Sequence, residues 1–103
     1  MSSVLQDHYT VHVGLLQVEF FIPESHSLKE KRMVLRSLTQ RIKNKFNVSV
    51  CELDSEDKWQ RAALAVVMAS SNQKFIDRAL AHVVEFIQTY DRLDVVRHQV
   101  DFI

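Results

Sequence analysis

The chain has one cysteine, Cys51, so it can form neither an internal disulfide nor a cysteine-based zinc or iron–sulfur site. It has one glycine, Gly14, and one proline, Pro23. That scarcity excludes a Gly-rich phosphate loop and argues against a flexible linker or a disordered tract. An excess of one charge is also missing. Thirteen basic residues cancel thirteen acidic ones, so net charge points to no class of partner. The longest apolar run, Ala62 to Ala69, falls far short of the ~20 residues that span a bilayer. Met1 to Asp7 carries no basic segment followed by an apolar core, so no secretory signal is expected, and the expected compartment is the reducing cytoplasm. What remains is 103 residues, 47% apolar and 25% charged, enough for one domain with its own core. Residues 1–9 read as a short leader and 10–103 as that single domain.

Apolar periodicity divides the domain into six elements. Thr10–Ile22 reads as a strand with Leu16, Val18, Phe20 and Ile22 in one row, stopped by Pro23. Ser27–Phe46 reads as an amphipathic helix opened by the capping-box pair Ser27 and Glu30. Its apolar face holds Leu28, Leu35, Leu38, Ile42 and Phe46. Val48–Leu53 and Gln60–Ser70 read as strands joined by an acidic loop. Asn72–Tyr90 reads as a second helix capped by Ser71 or Asn72, and Asp94–Ile103 as a last strand with Val96, Val100 and Phe102 on one side. The order β-α-β-β-α-β predicts an α+β, ferredoxin-like fold, a four-stranded antiparallel sheet with two helices on one face. No other surface is available to cover the apolar stripes of both helices.

Two blocks give the chain a family likeness. The first is Ser27-Leu28-Lys29-Glu30-Lys31-Arg32 followed by Val34-Leu35. The second is Glu52-Leu53-Asp54, then Asp57, then Trp59-Gln60-Arg61. Together with the element order they resemble the YlxP-like family of small bacterial proteins, over about residues 12–103. The resemblance implies a ferredoxin-like fold, a cytoplasmic location and an association with genes of translation and ribosome maturation. It carries over no catalytic residue.

The first helix concentrates seven of the thirteen cations, Lys29, Lys31, Arg32, Arg36, Arg41, Lys43 and Lys45, against the single acid Glu30. At 100° per residue Lys29, Arg32, Arg36 and Lys43 share one narrow stripe, while Arg41 and Lys45 flank the apolar face on its other side. Cations in the first turn oppose the helix dipole, at up to ~1 kcal/mol. Either the stripe is ordinary solvated surface, or it contacts a phosphate backbone, most naturally RNA, or an acidic protein. The acidic set Glu52, Asp54, Glu56 and Asp57 has neither the spacing nor the glycine of a calcium loop and reads as a soluble connector.

On the face the helices leave open, a register setting Thr10 against Ser70 pairs Glu19 with Arg61 and Phe21 with Trp59. Phe21, Trp59 and Arg61 would then form a ligand or RNA platform, or an aromatic corner at an interface. The third strand lacks the aromatic pattern of RNA-recognition sheets. Val13, Leu15, Ala63, Ala65 and Val67, with Val11, should also point to that face, which is apolar enough to predict a sheet-to-sheet homodimer. His8, His12, His26, His82 and His98 show no metal-ligand spacing, and Cys51 reads as a small buried hydrophobe. Gly14 is expected to allow close packing or a bulge. Neither enzyme machinery nor a cofactor or metal is expected. The expected function is that of an RNA- or ribosome-associated accessory protein. The alternatives are a regulatory dimer holding a metabolite between subunits near Trp59 and Arg61, and a purely structural interaction protein.

Overall fold

In a computed structural model, which describes residues 9–53 and 60–103, six elements follow in the expected order. They are β1 (His12–Phe21), α1 (Leu28–Lys45), β2 (Ser49–Leu53), β3 (Arg61–Ser70), α2 (Gln73–Gln88) and β4 (Asp94–Phe102). The sheet is antiparallel with strand order β2-β3-β1-β4, and both helices pack on one side of it. The acidic positions 54, 56 and 57, Trp59 and His8 lie outside the described residues.

Both helix starts are built as the sequence implies. Ser27 caps α1 by accepting the Glu30 amide at 3.1 Å. The Glu30 carboxylate reaches back to the amide of His26, one residue before the cap, at 2.8 Å. Asn72, and not Ser71, caps α2 through the Phe75 amide. The core lies between the helices and the even positions of β1 and β3. Leu16, Phe20 and Leu64 meet Leu38 and Ile42 of α1 and Ile76 and Leu80 of α2, all fully buried. Gly14 sits under α2, where a Cβ would collide with Ile76 and touch Leu80. Its role is therefore close helix–sheet approach, and the bulge lies elsewhere.

Two expectations about the strands are corrected. β1 and β3 pair two residues away from the anticipated register, with His12 opposite Ser70, Glu19 opposite Ala63 and Phe21 opposite Arg61. A shift of two keeps every side chain on its face, so the hydrophobic pattern alone does not choose between the two registers. In β4, Val95 and not Val96 joins Val100 and Phe102 on the helix side, and Val96 is exposed. A β-bulge between Glu19 and Phe20 of β1 sets Arg97 and then Val95 as their β4 partners, leaving Val96 as the extra residue.

Candidate functional site

α1 presents its basic stripe to solvent. Lys29, Arg32, Arg36 and Lys43 are all exposed. The ion pairs among the described residues join Arg61 and Arg97 to Glu19, and His82 to Glu85, so none involves the stripe. The remaining cations of α1 are engaged. Arg41 lies over the Tyr90 ring at 5.1 Å and Lys45 over the Phe86 ring at 5.0 Å, both part of the seam between the two helices. The Tyr90 hydroxyl reaches Ser37 at 3.3 Å and Phe46 meets Phe86 edge-on, which continues that seam.

Lys31 behaves differently from the other cations. It is 6% exposed, and its ammonium donates to the carbonyl of Arg61 at 3.3 Å. Along the chain it stands among the basic residues of α1. Its helical angle, between those of Leu38 and Ile42, is the signal that places it under the helix. The ammonium ties the first turn of α1 to the start of β3, so Lys31 contributes to the fold and not to the stripe. Val34, also buried, was likewise outside the expected apolar row.

The open side of the sheet has two unlike ends. At one end, Val13, Leu15, Val67 and Ala65 are half-buried and Val11 is 52% exposed. Ile103 donates its amide to Val13 and is 54% exposed. At the other end, Glu19 accepts from Arg61 at 3.3 Å and from Arg97 at 2.8 Å. The Glu19–Arg61 pair is expected from the sequence, but here it is diagonal: Glu19 sits opposite Ala63, and Arg61 sits opposite Phe21. Arg97 was missed. It becomes visible only when β4 is paired with β1, because Arg97 is then the cross-strand partner of Glu19. A shallow concavity of about 340 Å³ lies at this charged end, lined by Gln17, Glu19, Leu53, Ala63, Arg97 and Gln99 among others.

Cys51 is exposed on β2, correcting the expectation of a buried thiol. Odd positions of β2 pair with Val67, Ala65 and Ala63 on the open face, and β2 is an edge strand, which leaves Cys51 on the side away from the helices. Among the described residues no group of three His, Cys, Asp or Glu side chains is arranged to hold a metal ion, and no helix is long and apolar enough to cross a membrane.

Comparison with known proteins bears on the fold and on the family. A solved structure of a variant of SnoaB, a cofactor-independent oxygenase from Streptomyces nogalater, superposes with a TM-score of 0.53. That match covers 87% of this chain and 90% of SnoaB at 14% identity, and so concerns the fold alone. The de novo designed protein Foldit4 aligns over 88% of this chain and 96% of its own, at 12% identity and a TM-score of 0.49. In sequence, the uncharacterized protein YlxP of Bacillus subtilis is 35% identical over 82 residues, covering 80% of this chain and 89% of YlxP. Residues 13–100 match the family described as protein of unknown function (DUF503), and with YlxP related over most of both lengths, the chain belongs to that family.

Proposed function

We propose that the protein is a cytoplasmic, non-enzymatic accessory protein that binds RNA, free or in the ribosome, through the α1 stripe. One observation carries this reading. Lys29, Arg32, Arg36 and Lys43 are exposed together and form no ion pair among the described residues, whereas Arg41 and Lys45 are spent on aromatic rings. A row of exposed guanidinium and ammonium groups along a helix suits contact with successive phosphates, and binding is driven by release of counterions. The net neutrality of the chain does not oppose this, because attraction at contact range follows the local field.

The test is a salt titration of binding to a short fluorescent oligouridine. Replacing Arg32 and Arg36 by Glu should weaken binding and lower the slope of log affinity against log salt by about 1.4, at ~0.7 per phosphate contact. Both side chains are exposed, so each change should cost within ~0.5 kcal/mol of stability, checked by circular dichroism. Absence of oligouridine binding by the wild type at low salt would reduce the stripe to solvated surface. Equal slopes for the two proteins would move the binding site off α1.

A second reading draws on the concavity of the open face, where Arg97 stands beside Glu19 among the lining residues. A small anionic metabolite held there between two subunits would raise the melting temperature without RNA and would be indifferent to the Arg32 and Arg36 changes.

A further inference from the structure

We infer that the open face of the sheet is the seat of a second copy of this chain, packed face to face with its twofold axis parallel to the strands and between β1 and β3. Extent is the first support. The four strands have 10, 5, 10 and 9 residues. At about 3.4 Å per residue and 4.8 Å between strands, the face covers roughly 550 Å² in plan, or about 1,100 Å² for two copies before side-chain relief is added. A specific interface needs about 1,000 Å² or more, so two such faces are large enough. Exposure is the second support. Val11 and Ile103 are more than half exposed beside the partly covered Val13, Leu15 and Val67, an apolar area that water does not favour.

The choice of occupant follows from self-complementarity. On the open face β1 carries the larger side chains Val13, Leu15 and Gln17, while its neighbour β3 carries Ala65 and Ala69 on either side of Val67. An axis between these two strands exchanges them at unchanged height, so Val13 and Gln17 of each copy lie over Ala69 and Ala65 of the other, and Leu15 meets Val67. The charged ends then meet as well. Each copy brings Glu19 and Asp94 with Arg61 and Arg97, two acids and two bases. The side chain of Arg97 is 80% exposed while its Nε binds Glu19, so its terminal N–H groups are available to the second copy's carboxylates. An unrelated partner would have to supply this same alternation of ridge, trough and paired charge. A second copy supplies it by symmetry. The two α1 stripes end on the outer surfaces of such a dimer, clear of the interface.

The experiment is sedimentation equilibrium of the full chain at micromolar concentration. The wild type should be dimeric. Ala65→Glu should weaken the dimer by about a hundredfold or more, because it buries an unpaired carboxylate at the centre of the face. Ala65 is only half-buried on the solvent side of the sheet, so the monomer should keep its fold by circular dichroism. If that variant fails to refold, Val11→Lys, at a 52% exposed position, serves in its place and should weaken the dimer about tenfold. The Arg32→Glu, Arg36→Glu double variant should remain as dimeric as the wild type. A monomeric wild type, or dimers that survive Ala65→Glu with the fold intact, or dissociation caused by the α1 changes instead, would each overturn the inference.

Discussion

Gly14→Ala tests the close approach of α2 to β1. The new Cβ would run into Cγ2 of Ile76 and meet Cδ1 of Leu80 at 3.0 Å. Ile76 is fully buried in α2, and a β-branched side chain in a helix has essentially one χ1 rotamer, so its methyl cannot swing aside. Either α2 lifts from β1 or the strand bends. Overpacking of this kind costs about 1–3 kcal/mol. Against it stands a gain of ~0.4–1 kcal/mol, because alanine restricts the unfolded chain more than glycine does. The clash is the larger effect, and the net loss should be about 1–2 kcal/mol, seen as a drop in melting temperature of roughly 4–12 °C. Urea unfolding should show a lower midpoint at unchanged slope. The mechanism is checked by repeating the change in an Ile76→Leu background, which moves the branch away from Cβ at a cost under ~1.5 kcal/mol. There the penalty of Gly14→Ala should nearly vanish, a coupling of at least ~1 kcal/mol. A stable Gly14→Ala single variant would refute the reasoning, because α2 would then have room to spare above β1.

Leu38 is fully buried between α1 and the sheet, and Leu38→Ala should cost ~2–5 kcal/mol in chemical denaturation; a loss on the surface scale, under ~0.5 kcal/mol, would mean that α1 is rotated from its assigned face. Asn72 accepts the Phe75 amide, so Asn72→Ala should cost ~1 kcal/mol, while Ser71→Ala should be nearly neutral; the reverse ranking in thermal melts would reassign the cap.

Local chemistry made much of this protein readable along the chain. The rows Leu16-Val18-Phe20 and Leu35-Leu38-Ile42 announce a strand and a helix because side-chain periods of 2.0 and 3.6 are properties of the backbone itself. Ser27 with Glu30, and Asn72, mark the helix starts because their side chains reach amides only a few residues away. The exposed stripe of Lys29, Arg32, Arg36 and Lys43 was legible for the same reason, since the angle from the apolar face decides exposure. What needed the tertiary structure is whatever depends on how one segment slides against another. A two-residue slip of β1 on β3 leaves both faces unchanged, so only the packed sheet could set Phe21 against Arg61. The extra residue Val96 is silent in sequence, because Val95 and Val96 are equally apolar and only the β1 partner decides which is turned inward. Arg97 meets Glu19 across 78 positions of chain, and Lys31 exchanges solvent for a carbonyl 30 positions away. Such long-range pairs are set by the closure of the sheet and the docking of the helices, because no local rule links residues so far apart in the chain.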